Sequence, residues 1–243
     1  MELAVKSSDT GATIYGDPGD RARLAGLMRA LWPLLFGVAL SGVAIGLIAS
    51  QPELAGVVLL VAATVFWYAA RSSSVRVRSF FKGARGEERV AAVLARLPAG
   101  YTVFHGVDGW PGVRLARGGD IDHVVVGESG IWLIETKCWD GRVTVDENGV
   151  VLFEGMVPSR DPLVQARALS QKLADGLEHQ TGERLPVTAL VCFAGSGFAS
   201  AFIETSGVLV CGISRLYETI TDNSRITTAT GSEAVLKILK RAV

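Results

Sequence analysis

The chain has 243 residues, 49% of them hydrophobic, and its 24 basic residues balance its 24 acidic residues. This length suffices for one sizeable domain and an accessory segment, and zero net charge argues against a protein that binds nucleic acid through its overall charge. The three cysteines, Cys138, Cys192 and Cys211, are widely spaced, without zinc-ligand spacing or the appearance of a disulfide framework. This pattern suits a reducing compartment, and Cys192 and Cys211 are interpreted as small buried hydrophobes in strands.

The N-terminal third of the chain changes composition twice. Residues 1–25 are polar and lack helical periodicity, which predicts a disordered tail. Two uncharged stretches follow at 31–50 and 54–70, separated by Gln51-Pro52-Glu53. A bilayer is crossed by about 17–25 apolar residues, so 26–70 is predicted to be a two-helix transmembrane hairpin. A helical hairpin buried in a soluble core and a secretory signal peptide are the alternatives.

Basic residues flank this hairpin on both sides, and its connecting turn has none. They are Arg21, Arg23 and Arg29 before it and Arg71, Arg76, Arg78, Lys82 and Arg85 after it. The positive-inside rule therefore predicts a multi-pass protein of the cytoplasmic membrane, with both termini and the following domain in the cytoplasm. Gly42 and Gly46 form a small-xxx-small pair that would let the two helices approach closely, or would serve a homodimer. Residues 71–82 are predicted to be a basic juxtamembrane linker that contacts lipid headgroups or a nucleic-acid backbone.

The remainder, 83–243, predicts one α/β domain with a mixed sheet, because helical and strand patterns alternate along it. Helices are expected at 83–97, 161–180, 213–220 and 233–241. Strands are expected at 101–107, 124–126, 131–134, 142–145, 150–153, 187–193, 198–203 and 208–211. Glu87 lies in the first turn of the first of these helices, where a carboxylate complements the helix dipole.

The stretch from Gly118 to Gly141 carries the strongest chemical signal. Its two apolar runs are joined by Gly127-Glu128-Ser129-Gly130, which indicates a hairpin. Asp122 precedes the first run, and Glu135 and Lys137 close the second on one face of the strand. Such acids are costly to bury at a sheet edge unless a cation binds them, and oxygen ligands suit Mg²⁺ or Mn²⁺. An exposed Glu135–Lys137 pair is the alternative interpretation.

Other catalytic or nucleotide-binding motifs are absent, and the remaining candidate residues give a weaker indication of function. The sequence has no Walker P-loop, no dinucleotide-binding fingerprint and no nucleophile elbow. His123 is expected on the opposite face from Asp122, as a hydrogen-bonded structural histidine. Arg114, Arg117, Arg142 and Arg160 are candidates for phosphate contact, or ordinary solvated charges.

Three segments together resemble the nuclease-related domain (NERD) family of the PD-(D/E)xK phosphodiesterase superfamily. They are Gly86-Glu87, the run from Gly119 to Trp139, and Pro162-Leu163-Val164-Gln165-Ala166. The resemblance implies a restriction-endonuclease-like fold over 83–243. It implies Asp122, Glu135 and Glu87 as metal ligands, Lys137 as the catalytic lysine, and Gln165 near the site or the substrate backbone. Asp120 could assist them.

The sequence therefore predicts a membrane-anchored, Mg²⁺- or Mn²⁺-dependent nuclease that acts on nucleic acid, with DNA preferred by resemblance. The alternative is a catalytically silent, membrane-tethered module that binds nucleic acid or acts as a scaffold. Net neutrality and the lack of a long basic stripe favour that alternative. The intact set of two acids and a lysine argues against it.

Overall fold

The computed structural model describes residues 6–7, 11–110, 113–114, 120–195, 197–198, 202–222 and 233–243. The chain divides into two compact units. One unit is Asp20–Ala84, and the other combines Met1–Gly19 with Arg85–Val243. The α/β domain is therefore discontinuous in sequence, because its first segment precedes the helical unit.

The helical unit is built on α1 (Asp20–Leu47) and the first part of α2 (Pro52–Leu94). The two helices approach at Gly26 and Gly37. A Cβ atom on Gly26 would lie 2.7 Å from the Cβ of Phe80, and one on Gly37 would lie 2.9 Å from Cε2 of Phe66.

Gly42 and Gly46 do not make this close approach. A Cβ atom on either would have no atom within 4 Å among the described residues. The prediction that this pair brings the two helices together is therefore wrong. The homodimer alternative stays a prediction.

The apolar helices differ in length. Gly26–Leu47 is long and apolar enough to cross a membrane, on length and composition alone, and the apolar start of α2, Pro52–Tyr68, is shorter. The backbone of α2 stays helical through 71–82, where a separate linker was predicted. No Gly or Pro lies between 57 and 82 to end the helix. Glu87 is consequently inside a long helix and not in a first turn.

The α/β domain is organised around a mixed sheet. Its eight strands run in the order β1-β2-β3-β6-β7-β10-β12-β11 among the described residues. Their bounds are β1 Lys6–Ser7, β2 Thr13–Tyr15, β3 Thr102–Val107, β6 Ile121–Gly127, β7 Gly130–Lys137, β10 Val187–Phe193, β11 Ile203–Thr205 and β12 Val208–Gly212. Two small pairs stand apart: β4 (Gly109–Trp110) with β5 (Val113–Arg114), and β8 (Val143–Val145) with β9 (Val151–Phe153). A mixed α/β fold, as predicted, is confirmed.

Helices cover both faces of the sheet. Val90 and Leu94 of α2 share a buried cluster with α4 (Leu216–Thr221), which follows a short 3-10 turn. On the other face lie α3 (Pro162–Thr181) and α5 (Glu233–Lys240). Asp161 caps α3, because its carboxylate accepts a hydrogen bond from the N–H of Leu163 at 2.8 Å. This cap fixes the first turn of α3, which carries Gln165.

The described part of the N-terminal segment is ordered, contrary to the predicted tail over 1–25. Strand β2 pairs in parallel with β3, where Thr13 lies opposite Thr102. Tyr15 is buried and stacks on Phe104 with ring centroids 5.3 Å apart. The segment is too short to signal a strand by periodicity, and its pairing partner lies nearly ninety residues away. Residues 1–5 and 8–10 lie outside the described residues.

Candidate active site

The central hairpin forms with the predicted turn and orientation. β6 and β7 are antiparallel, with Gly127 opposite Gly130 and His123 opposite Ile134. Near the end of the ladder, the carboxylate of Asp122 accepts a hydrogen bond from the backbone N–H of Thr136 at 2.7 Å. Asp122 is thereby held beside the strand that carries Glu135.

Glu135, Lys137 and Gln165 form one hydrogen-bonded triangle. The ammonium of Lys137 lies 2.5 Å from Oε1 of Glu135 and donates to Oε1 of Gln165 at 3.1 Å. The amide Nε2 of Gln165 donates to the same Oε1 of Glu135 at 2.7 Å. The strand β7 and the first turn of α3 therefore meet at a polar centre that joins three predicted site residues.

The second oxygen of Glu135 differs from the first. Glu135 is only 3% exposed, and its Oε2 has no hydrogen-bond partner among the described residues. An unpaired carboxylate oxygen is expensive to keep away from water. Desolvation raises the pKa of Glu135, and the charge of Lys137 opposes that rise.

Glu87 joins this centre from α2. Its Oε2 accepts a hydrogen bond from the backbone N–H of Gly19 at 3.0 Å. Desolvation, followed by the negative charge of Asp120, raises the pKa of Glu87 to about 7, and the charge of Glu135 contributes to the rise.

The acids of the site act on one another. Desolvation raises the pKa of Asp122 well above its usual range, and the charges of Glu135 and Glu87 raise it further. Lys137 and the N–H of Thr136 only partly offset this rise. Among the described residues, this centre brings the coupled carboxylates of Asp122, Glu135 and Glu87 together with the ammonium of Lys137, which favours either bound protons or a bound metal ion.

The donor set fits a hard divalent cation. Among the described residues, no group of three or more His, Cys, Asp or Glu side chains already has the arrangement of a metal centre. Mg²⁺ typically keeps several waters and takes one or two protein carboxylates, so a closed cage is not required. Oε2 of Glu135, which lacks a hydrogen-bond partner within the described part of the chain, and the carboxylate of Asp122 are oxygens of that kind.

The sequence also drew attention to four arginines, as candidates for phosphate contact, and to His123. Arg142 and Arg160 are exposed, the backbone of Arg114 belongs to β5, and Arg117 lies outside the described residues. His123 is buried, and its Nδ1 lies 2.7 Å from Nδ1 of His105. His123 is a structural histidine, as predicted, although the sequence did not indicate its partner.

The sequence did not predict two glycines that contribute to the site. The N–H of Gly19 lies sixty-eight positions from Glu87, and no local pattern connects them. Gly86 packs against the end of β7, where a Cβ atom would lie 2.6 Å from the Cβ of Cys138. The Gly-Glu pair at 86–87 therefore combines a close helix approach with a site carboxylate, and only the second role was predicted.

Comparison with known proteins gives a family match for part of the chain. Residues 82–194 match the family model of the nuclease-related domain, NERD. This match confirms the resemblance of residues 82–194 to the nuclease-related domain.

Among curated proteins, an uncharacterized protein of Bacillus anthracis is 25% identical over 114 residues. The alignment covers 46% of this chain and 53% of that protein, so the chain spans about half the length of this relative. No solved structure matches the chain.

Proposed function

We propose that this protein is a metal-dependent nuclease that hydrolyses nucleic-acid phosphodiesters, preferably of DNA, on a restriction-endonuclease-like fold. The observation that carries the proposal is the buried Oε2 of Glu135, which has no hydrogen-bond partner among the described residues. The other oxygen of this carboxylate contacts Lys137 and Gln165, and its charge acts on Asp122. Burying several carboxylates beside the ammonium of Lys137 is costly as a purely structural device, and a divalent cation would offset that cost. The nuclease-related domain supports the same reaction class.

Asp122, Glu135 and Glu87 are the residues that would hold Mg²⁺ or Mn²⁺. When bound, such an ion supplies Lewis-acid polarisation of a phosphoryl oxygen and activation of water. The carboxylates would exchange their protons for the cation, since a ligand must be deprotonated to bind metal. Metal binding is therefore expected to release protons.

Lys137 and Gln165 would act on the substrate side. The ammonium of Lys137 offers a donor and a positive charge for the oxygens of a phosphoryl group whose negative charge grows in the transition state. Gln165 holds both Lys137 and Glu135, so it fixes the direction of the lysine. Arg142 and Arg160, both exposed, are proposed to contact phosphates of the substrate backbone.

The test is cleavage of linear and circular DNA, and of RNA, by the full-length protein in detergent micelles with Mg²⁺, Mn²⁺ or EDTA. Cleavage is expected with either metal and not with EDTA. Lys137→Ala is expected to lower the rate at least about a hundredfold, because removing one donor to the transition-state charge costs roughly 10²–10³. Asp122→Asn is expected to abolish cleavage at low metal concentration, because it replaces a charged metal ligand with a neutral one. Gln165→Ala is expected to lower it about tenfold or more, as loss of an outer-shell partner does.

Matched controls lie on the exposed side of α3. Asp175→Asn, Lys172→Ala and Gln171→Ala make the same chemical changes at exposed positions and should leave the rate unchanged. Nucleic-acid binding without cleavage under every condition would contradict the nuclease proposal and favour the scaffold alternative. Cleavage that survives in Asp122→Asn would point to a contaminating nuclease.

We also propose that the helical unit anchors the protein in the cytoplasmic membrane as a two-helix hairpin. Apolar side chains of α1 are widely exposed in the folded chain, among them Trp32, Leu35, Phe36 and Ile45. Such a surface calls for a lipid or protein partner. The basic residues on both flanks favour a hairpin whose two ends face the cytoplasm.

Membrane fractionation tests the anchor. The wild-type protein is expected to resist extraction by alkaline carbonate. The double substitution Phe36→Arg/Ile45→Arg should move it to the soluble or aggregated fraction, because each Arg near a bilayer centre costs about 2.5–3.5 kcal/mol on insertion scales. Lys172→Ala, in the other unit, is the control. Full extraction of the wild-type protein by carbonate would contradict the proposal.

A further inference from the structure

The segment Ala12–Gly19 is fastened to the α/β domain at several points. The N–H of Ala12 donates to the carbonyl of Leu97 at 2.9 Å, and the N–H of Thr13 donates to the carbonyl of Tyr101 at 3.0 Å. The ring of Tyr15 stacks on Phe104 and carries the ammonium of Lys240 at 5.0 Å from its centroid. The backbone of this segment is thus held along most of its length.

The segment then turns toward Glu87. Gly16 and Gly19 have φ values of +80° and +77°, which L-residues with a side chain rarely adopt. Gly19 is buried, and its N–H donates to Oε2 of Glu87. The left-handed conformations of Gly16 and Gly19 therefore place the N–H of Gly19 within hydrogen-bonding distance of the Glu87 carboxylate.

The contact suits a positioning role. A hydrogen bond from a neutral donor to a carboxylate is charge-assisted, and it fixes the rotation of the carboxylate plane. Residues that hold a metal ligand in this way typically change metal affinity or activity about 10–100-fold when they are lost. The donor is also part of a fastened backbone, so Glu87 is held by the domain and not by a mobile side chain.

We propose that Gly19 is a positioning residue of the active site, whose N–H orients Glu87 toward the metal, so that the N-terminal segment Ala12–Gly19 completes the site. This inference rests on the proposed function. It assigns a role in metal binding to a segment outside the residues that match the family model.

The test compares two substitutions that differ in the donor. Gly19→Ala and Gly19→Pro both disturb the left-handed backbone, but only proline removes the N–H. Mn²⁺ binding is measured by isothermal titration calorimetry on the full-length protein in micelles, with thermal unfolding as the check on folding. Gly19→Pro is expected to bind Mn²⁺ about tenfold or more weakly than Gly19→Ala.

A double-mutant cycle with Glu87→Ala separates positioning from general stability. If Gly19 acts through Glu87, Gly19→Pro should cost no further Mn²⁺ affinity relative to Gly19→Ala once Glu87 is alanine. A second measurement needs no change at Gly19. The NMR resonance of the Gly19 amide should shift when Mg²⁺ is added to the wild-type protein, and should not shift in Glu87→Ala.

The outcomes are distinguishable. A wild-type protein that binds no Mn²⁺ would overturn the proposed function and this inference with it. Mn²⁺ binding in the wild type, with equal affinities for Gly19→Pro and Gly19→Ala, would overturn the inference alone. So would a Gly19 resonance that ignores Mg²⁺, even if Gly19→Pro fails to fold.

Discussion

Buried titratable groups of opposite kinds lie on the two faces of strand β6. On one face, Asp122 belongs to a carboxylate cluster whose pKa values are raised. On the other, His123 and His105 form a buried pair whose pKa values are lowered, first of all by desolvation. Both groups favour their neutral forms in the folded protein. Lowering the pH therefore stabilises the fold through the carboxylates and destabilises it through the histidines.

The histidine pair predicts a loss of stability in acid. The pKa of His105 falls from 6.5 to about 4, with the charge of Asp17 partly opposing the fall. Above pH 6.5 both the folded and the unfolded states are neutral at this position. Between pH 6.5 and about 4 the unfolded state takes up the proton first, so stability falls as the pH falls. At pH 5 the loss from His105 is about 2 kcal/mol.

Urea unfolding at pH 7.5 and pH 5 measures this effect. The carboxylates of the site shift stability the other way, so the informative quantity is the difference between the wild type and His105→Gln. The drop between the two pH values should be smaller in His105→Gln. His179→Gln, at an exposed position of α3, should retain the wild-type drop. Equal pH dependence in the wild type and His105→Gln would contradict the assignment.

At the scale of residues, the sequence predicts which side chains of a strand lie on the same face, because side chains alternate along a strand. Asp122, Glu135 and Lys137 follow from the hairpin, and Gln165 follows from the family resemblance. The partnership of His123 with His105, and that of Glu87 with Gly19, depend on which distant segments become neighbours. No local spacing encodes such neighbours, so these contacts became visible only in the fold.

At the scale of elements, the α2 helix provides a matched pair of glycines. A Cβ atom on Gly86 would crowd Cys138, whereas a Cβ atom on Gly83 would meet nothing within 4 Å among the described residues. Gly86→Ala should destabilise the protein by about 1–3 kcal/mol, because overpacking forces the helix off β7. Gly83→Ala should be neutral or stabilise by up to about 1 kcal/mol, the gain in helix propensity.

Thermal unfolding checks both substitutions, and the proposed metal-dependent cleavage gives a second readout. Gly86→Ala should also lower the cleavage rate, since the displaced turn carries Glu87. Cys138→Gly in the Gly86→Ala background removes the nearest contact atom and should recover part of the stability. If Gly83→Ala and Gly86→Ala behave alike, the close approach of α2 to β7 is not a determinant of stability.

Element boundaries were predictable where the sequence carries a local capping or turn signal. Asp161-Pro162 at the start of α3 and the turn at Gly127–Gly130 are local signals, and both elements formed as expected. The predicted break of α2 at a separate linker over 71–82 was wrong, because a change in composition does not by itself interrupt helical hydrogen bonding. The short β2 was missed because its stability comes from β3.

At the scale of the whole molecule, removing 1–19 should damage the α/β domain, although it leaves the residues matched by the family model intact. The loss of β2 exposes the edge of β3 and removes the burial of Tyr15, at about 1.5–3 kcal/mol for one large side chain. For a chain of this size, about 3 kcal/mol lowers Tm by roughly 6–12 °C. Thermal unfolding of the shortened protein measures the change.

A milder truncation serves as its control. Removal of 1–10 keeps β2 and the contact of Gly19 with Glu87, so it should cost much less stability. Equal Tm values for the two truncated proteins would contradict an essential role for β2. A fragment that begins at residue 72 would lack this strand, and it is expected to be less stable than the full-length protein.

The pairing of β2 with β3 also limits how many times the chain between them can cross a bilayer. Two strands can exchange hydrogen bonds only if both are on the same side of a bilayer, and the whole helical unit lies between these two in the sequence. The intervening chain must then traverse a bilayer an even number of times. One passage of Gly26–Leu47 alone would separate Thr13 from Thr102 and break the sheet. Either both apolar helices enter the membrane together or neither crosses it.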